Sequence, residues 1–187
     1  KKMKINWFGS FSQGQGYSGS SEQMAVALEK QGIDIRAIAF SKINLDNLTP
    51  EGRKLRLKPF NKADVAICYG FPASFSSMEG WKYKIGFTMF ETDKLPTGRS
   101  WAGLTGNAVD SCNKLDLLIV PSEHNRQLFS DNGVTVPIEV VNLGCDTNYF
   151  SFIQRPVKKT FTFLQSGNLS IRKNPGAVMS AFLSLFK

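Results

Sequence analysis

Short apolar segments alternate along this chain with longer segments that have the hydrophobic spacing of helices. The apolar segments are rich in β-branched and aromatic residues and are bounded by turn-forming residues, which is typical of strands. Strands that are apolar on both faces and separated by helices predict a mainly parallel sheet with helices on both faces, an α/β fold. The predicted strands comprise residues 4–8, 33–40, 65–69, 84–89, 117–120 and 138–143.

Capping signals predict where several helices begin. Ser20 stands three residues before a glutamine, the spacing of a capping box, at the start of the first predicted helix. Ser122 is the expected N-cap of a helix after the fifth strand, and Asn174 with Pro175 fits the cap and first position of the last helix. A further helix is expected over residues 101–115, although two glycines weaken it.

The strand and helix pattern restarts near the end of the chain. Residues 144–159 have the composition of a linker, and a strand (160–165), a loop (166–173) and a helix follow. Because one strand and one helix cannot enclose a core, these elements are expected to open a truncated second domain. The predicted organisation is therefore a first domain over residues 1–155 and the start of a second over 156–187.

Charge and composition narrow the function classes. The formal net charge is +8, but the lysines and arginines are dispersed, which argues against a nucleic-acid interface. The densest basic group, residues 53–58, alternates with leucine and is predicted to be a solvated edge strand or loop; an anionic ligand or membrane surface stays as the alternative. No apolar run is long enough to span a bilayer, which predicts a cytoplasmic protein that could contact the inner membrane face peripherally.

The three cysteines and the single histidine offer no catalytic or metal-binding pattern. Cys68, Cys112 and Cys145 lack the spacing of metal ligands and are expected to be buried free thiols in a reducing compartment. His124 falls in the first turn of a predicted helix, where solvent exposure is the expected state. The sequence also lacks a GxxxxGK[ST] phosphate loop, a GxSxG elbow, an HExxH motif and a DxD triplet.

The segment from Gly14 to Gly19 reads GxGxxG between the first strand and the first helix, where backbone amides favour an anion. A dinucleotide site would need an acidic residue at the end of the second strand, but Phe40-Ser41-Lys42 stands there. Three interpretations stay open: a glycine-rich loop without a ligand, a dinucleotide site, and a site for another phosphate-bearing ligand, which is favoured.

Six segments in sequence order resemble the landmarks of retaining GT-B glycosyltransferases of family 4. These are residues 16–19; 88–93 with Leu95-Pro96; 120–125; Phe129 with Gly133-Val134; 142–146 with Phe150; and Gly167 with Lys173-Asn174-Pro175. The resemblance spans nearly the whole chain. It implies two Rossmann-like domains, the second truncated here, and transfer of a sugar from a nucleotide-diphosphate donor to an acceptor hydroxyl with retention, without a metal or other cofactor.

The resemblance also implies roles for individual residues. Gly16 and Glu91 would be catalytic, and the donor diphosphate would contact Gly16, Tyr17, Arg172 and Lys173. The acceptor, a glycan or a lipid-linked hydroxyl, would meet residues from the set Tyr17, Glu91, Ser122 and Glu123. This fragment alone is expected to be inactive.

Two positions depart from the family pattern. Asn168 stands where many relatives have an arginine, and Phe90 stands where many have a pocket histidine. Glu91 is therefore either a ligand of the acceptor hydroxyl or a structural carboxylate that holds the following loop. A non-catalytic sugar- or nucleotide-binding protein on the same fold is the alternative function.

Overall fold

The computed structural model describes residues 2–12, 16–59, 63–96, 107–148, 150–156, 159–167 and 169–186, with only the backbone at position 172. The chain divides into two compact units, Lys1–Gly144 and Cys145–Lys187. The predicted assignment of residues 1–155 and 156–187 to two domains stays a prediction.

The first unit contains one six-stranded sheet in which every neighbouring pair of strands is parallel. The strands are β1 (Lys4–Gly9), β2 (Asp34–Ala39), β3 (Val65–Tyr69), β4 (Tyr83–Phe87), β5 (Leu117–Val120) and β6 (Ile138–Val140). Their order across the sheet is β2-β1-β3-β4-β5-β6. The predicted α/β, Rossmann-like fold is confirmed, and the sheet is parallel throughout.

Alternating side chains of the strands build a hydrophobic core on each face of the sheet. In β1, Trp7 packs into one core while its neighbour Phe8 packs into the other. The alternation recurs in β3, where Cys68 and Tyr69 enter opposite cores. Successive side chains of a strand point to opposite faces, so strands that are apolar throughout require cover on both sides.

Four helices lie in the described part of the first unit. They are α1 (Gly16–Lys30), α2 (Pro50–Leu57), α3 (Ala108–Cys112) and α4 (Glu123–Asp131). Short 3₁₀ segments span Leu45–Asn47 and Pro72–Met78. The predicted cap of α4 is confirmed, because the Ser122 hydroxyl accepts a hydrogen bond from the amide of Asn125.

The basic segment 53–58 was predicted as an edge strand or loop, and this prediction is wrong, because residues 53–57 belong to α2. Thr49 caps the helix by accepting from the amide of Gly52, and Pro50 occupies its first turn. The buried carboxylate of Glu22 in α1 accepts a hydrogen bond from the amide of Thr49 at 2.7 Å. A contact between residues 27 positions apart thus fixes the start of α2.

Two other helix predictions differ from the structure. The first helix begins at Gly16 rather than at Ser20, whose hydroxyl instead donates to the carbonyl of Gly16 within the helix. Of the helix expected over residues 101–115, the described part contains only Ala108–Cys112, capped by Asn107. Residues 101–106 lie outside the described residues.

The second unit contains a 3₁₀ segment, Ile171–Lys173, and helix α5 (Pro175–Leu185). The predicted cap is confirmed: Asn174 accepts from the amide of Ala177, and Pro175 occupies the first turn. The strand predicted over residues 160–165 is wrong, because none of these residues is in a strand. A strand needs a hydrogen-bonded neighbour, and the apolar pattern of this segment does not supply one.

The predicted burial is confirmed for two of the three cysteines and the predicted exposure for the histidine, but the predicted burial of Cys145 is wrong. Cys68 and Cys112 are buried free thiols whose pKa values are raised by burial, whereas Cys145 is a free but exposed thiol. His124 is exposed. No helix in the described part of the chain has the length and apolar character needed to cross a membrane.

Candidate functional site

The strand order creates a topological switch point between β1 and β3. From β1 the chain passes outward to β2 and then returns across β1 to form β3, so the connections of these two neighbours leave in opposite directions. In open α/β sheets, ligands bind in the crevice beyond the carboxyl ends of the strands at such a point. The loops after β1 and β3, with the start of α1, are therefore the first place to examine for a site.

Helix α1 begins at this edge with Gly16. Gly16 is exposed, and a Cβ atom added to it would meet no described atom within 4 Å outside its own helix. Helix α1 has 15 residues, and the unpaired amides at a helix start favour an anion. Gly14 and Gln15 lie outside the described residues. Gly16 therefore leaves open space beside a helix end.

Gly9, at the end of β1, differs from Gly16 in the surroundings that an added side chain would meet. A Cβ atom there would lie 2.3 Å from the hydroxyl oxygen of Ser21, which is buried and accepts a hydrogen bond from the indole nitrogen of Trp7. The absence of a side chain at Gly9 is a packing requirement of the core. The two glycines can thus be distinguished by what their missing side chains would touch.

Tyr17 forms an aromatic cluster with side chains from β3 and the loop after it. Its ring centroid lies 4.8 Å from that of Tyr69 and 5.4 Å from that of Phe71, with which it stacks at 20°. The hydroxyl groups of Tyr69 and Ser20 are hydrogen-bonded at 2.9 Å. Burial raises the pKa of both tyrosines, so both phenols are neutral at physiological pH.

Two hydroxyl groups in this region have no hydrogen-bonding partner within the described residues. They belong to Tyr17 and to Thr88, which follows β4 and is fully buried. The Thr88 hydroxyl lies close enough to the Tyr17 phenol to act on its pKa as a hydrogen-bonding group, which lowers the pKa by less than burial raises it, although the geometry of the two groups is not that of a hydrogen bond. Buried polar groups are usually paired in folded proteins, so these two oxygens could accept or donate to a bound molecule.

The loop after β4 is held by Asn125 of α4. The side-chain oxygen of Asn125 accepts from the amide of Phe90 at 2.8 Å, and its side-chain nitrogen donates to the carbonyl of Phe90 at 3.1 Å. Asn125 is 5% exposed. The next residue, Glu91, is exposed at the same edge. The buried amide therefore fixes the backbone directly before the candidate catalytic carboxylate.

The ring of Phe90 continues the aromatic cluster. Its centroid lies 6.3 Å from that of Phe71, which in turn stacks on Tyr17. On its other side Phe90 approaches the buried ring of Phe129 at 5.9 Å. An apolar, half-buried surface thus joins the start of α1 to the loop that carries Glu91.

Ser122 and Glu123, the remaining predicted acceptor-side residues, have local partners. The Ser122 hydroxyl accepts hydrogen bonds from both the amide and the side-chain nitrogen of Asn125, each at 3.3 Å. The exposed Glu123 forms an ion pair with Arg126 at 3.1 Å. The contacts seen here are those of a helix cap and a surface ion pair, and contact with an acceptor stays a prediction.

The predicted basic loop lies in the second unit. Gly167 has a φ of +147°, which favours glycine, and the aliphatic part of Lys173 would lie 3.7 Å from a Cβ atom added there. Lys173 is exposed and immediately precedes Asn174, the cap of α5. The structure describes only the backbone of Arg172, and Asn168 lies outside the described residues. A lysine therefore stands beside the amino end of an 11-residue helix.

The parallel sheet brings five of the predicted residues to one edge. Gly16, Tyr17, Glu91, Ser122 and Glu123 all follow the carboxyl ends of strands in the first unit. Sequence reasoning did not identify the partners that hold them, which are Tyr69, Phe71 and Asn125. Asn125 lay within a motif segment, but no spacing shows that its side chain reaches a loop 35 residues away.

Within the described residues, no three side chains of His, Cys, Asp or Glu form a group able to hold a metal ion.

Neither a protein-family model nor a curated protein matches the chain. A function must therefore be inferred from the residues and the geometry.

Proposed function

We propose that the chain forms the acceptor-side domain, and the beginning of the donor-binding domain, of a retaining GT-B glycosyltransferase. The observation that carries this proposal is the start of α1. Gly16 leaves open space at a 15-residue helix end, beyond the carboxyl end of β1 and beside the β1–β3 switch point. That geometry suits the close approach of an anionic group to backbone amides. The six sequence landmarks, in their order along the chain, indicate that this anionic group belongs to a nucleotide-diphosphate sugar.

On the donor side, the main task is to stabilise the charge that develops on the departing nucleoside diphosphate. The resemblance assigns this task to the amides at the start of α1 in the first unit and, in the second unit, to the ammonium group of Lys173 with Arg172. A lysine beside the amino end of α5 adds its charge to that of the helix dipole. Fixed charges and dipoles of this kind would support departure of the leaving group without a metal ion.

On the acceptor side, Glu91 would receive a hydrogen bond from the acceptor hydroxyl of a glycan or lipid-linked molecule. Its backbone position is set by the two hydrogen bonds between Asn125 and Phe90. The ring of Tyr17, stacked against Phe71, would form an apolar wall beside the reacting sugar. These residues would orient the acceptor for attack on the same face of the donor sugar that the diphosphate leaves.

The proposal is tested with the product of the complete open reading frame. It is incubated with a panel of nucleotide-diphosphate sugars and acceptors, and transfer is followed by mass spectrometry. Lys173→Met keeps an unbranched aliphatic side chain near Gly167 but removes the charge. We expect kcat/KM to fall by roughly 100-fold, about 3 kcal/mol of transition-state stabilisation.

Lys159→Met is the matched control, because Lys159 is an exposed lysine of the same unit that the resemblance does not place at the donor. Its kcat/KM should stay within a factor of two or so of the parent value. Donor binding without any turnover would favour the non-catalytic binding protein. Equal rates for the Lys173 variant and the parent would remove Lys173 from the donor site.

A further inference from the structure

A cavity opens at the carboxyl ends of β1 and β2, between the loops that follow these two strands. Its volume is about 270 Å³. None of the predicted site residues that the structure describes lines it, although through Ser10, Ser12 and Ser18 it shares the loop after β1 and the start of α1 with the β1–β3 switch point. Much of its lining consists of hydroxyl and amide side chains, which are those of Ser10, Ser12, Ser18, Ser41, Asn44 and Asn47. We call it the β1–β2 cavity.

Lys42 gives the β1–β2 cavity a positive charge. It is the one charged residue among those lining the cavity in the described part of the chain, and it has no ion-pair partner among the described residues. The acidic residue nearest to it in the sequence, Asp46, is paired with Arg53 at 3.4 Å. The charge of Lys42 is therefore available to an anionic group of a ligand.

The ring of Phe40 forms an apolar part of the wall. Phe40 lines the cavity and is 38% exposed. The ring also lies against Gly70 at the end of β3, where an added Cβ atom would come within 3.1 Å of it. A partly exposed aromatic face beside many hydroxyl and amide groups suits a sugar ring, which has apolar C–H faces and a polar edge.

We infer that the β1–β2 cavity binds an acidic sugar, with Phe40 against the ring, Lys42 on its phosphate or carboxylate group, and the serine and asparagine side chains on its hydroxyls. Its role as the acceptor subsite rests on the proposed glycosyl transfer. The inferred acceptor is thus a phosphorylated or carboxylated sugar rather than a neutral one.

The size of the cavity favours this ligand over a dinucleotide. Ligand pockets usually enclose about 300–1,000 Å³, and 270 Å³ lies just below the small end of that range. A single sugar ring with one anionic group fits that volume better than a molecule with two nucleosides. The acidic group of a sugar, rather than the additional phosphate of NADP⁺, then explains the basic residue Lys42 after β2.

Binding is measured by isothermal titration calorimetry on the 187-residue chain, without a donor. The probes are glucose 6-phosphate, glucuronate, glucose, inorganic phosphate and NADP⁺. We expect the two acidic sugars to bind more tightly than glucose and more tightly than inorganic phosphate. Lys42→Gln should weaken binding of the acidic sugars by roughly 10- to 100-fold, the loss typical of a charged hydrogen bond, and leave glucose unchanged.

Lys54→Gln is the matched control, because Lys54 is exposed on α2 and does not line the cavity. It should bind every probe as the parent does, whereas Phe40→Ala should weaken all the sugars and spare inorganic phosphate. Equal binding of glucose and glucose 6-phosphate would overturn the inference. So would tighter Lys42-dependent binding of NADP⁺ or of phosphate alone, or no binding of any probe at millimolar concentration.

The test is separable from that of the proposed function because it measures no turnover. Lys42-dependent binding of acidic sugars, together with a complete protein that transfers no sugar, would refute glycosyl transfer and keep the cavity as a sugar site. Active transfer to an acceptor, with binding and KM both unchanged in Lys42→Gln, would support glycosyl transfer and refute the β1–β2 cavity as the site of an acidic sugar.

Discussion

Asn125 offers the sharpest test of how the site is held together. Its side chain makes both hydrogen bonds of the Phe90 backbone described above, at 2.8 and 3.1 Å, and is 5% exposed. Asn125→Ala would leave the amide and the carbonyl of Phe90 without these partners. An unsatisfied buried group costs about 1–3 kcal/mol. For these two groups together we expect a loss of roughly 2–4 kcal/mol of unfolding free energy, with a value near the lower end of this range if water fills the space left by the side chain.

Asn132→Ala is a suitable control because Asn132 also bonds two backbone groups, the amide of Leu95 at 3.3 Å and the carbonyl of Leu128 at 2.8 Å. Both variants should be less stable in urea denaturation followed by tryptophan fluorescence. In the complete protein, at a temperature where both are folded, only Asn125→Ala should also lower kcat, because only Asn125 fixes the backbone before Glu91. A stability loss below about 0.5 kcal/mol for Asn125→Ala would refute this reasoning.

Two further predictions concern glycine packing and pH. Gly16→Val should leave the unfolding free energy within about 0.5 kcal/mol of the parent value while abolishing transfer. Gly9→Ala should instead cost about 1–3 kcal/mol of stability, because the added methyl group displaces the buried Ser21. Paired denaturation and rate measurements check both variants, and a large loss of stability in Gly16→Val would contradict the prediction. The hydrogen bond from Lys58 holds the pKa of Asp34 below its usual value. The stabilising contribution of this pair is therefore present above about pH 4 and is lost as pH falls through the lowered pKa of Asp34. Lys58→Met should therefore flatten the acid limb of a plot of Tm against pH, and an unchanged limb would show that this pair does not contribute to acid stability.

Local sequence signals were sufficient for the elements whose causes are local. Strands β3 and β5 lie at the predicted residues, because short apolar segments bounded by turn residues become buried in any sheet they join. Ser122 and Asn174 cap their helices as predicted, since a capping side chain bonds an amide only three positions away. Parallel pairing followed from the alternation of strands with helices.

Tertiary contacts decided what local pattern could not. Residues 53–57 are helical because the local signal of Thr49 and Pro50 starts α2 and a tertiary contact with the buried Glu22 fixes that start, although alternation with leucine favoured an edge strand. Conversely, residues 161–165 have an apolar pattern but are not in a strand. A strand is defined by its neighbour, and a neighbour is a property of the fold rather than of the segment.

The candidate site shows the same division. From the sequence, the glycine-rich segment after the first strand pointed to Gly16, and the resemblance to family 4 glycosyltransferases implied Tyr17 and Glu91. Only the tertiary structure stacked Tyr17 on Phe71 and brought Asn125 to a backbone 35 residues away. Strand order sets which loops become neighbours, and it depends on packing energies summed over the whole chain, which no short spacing encodes.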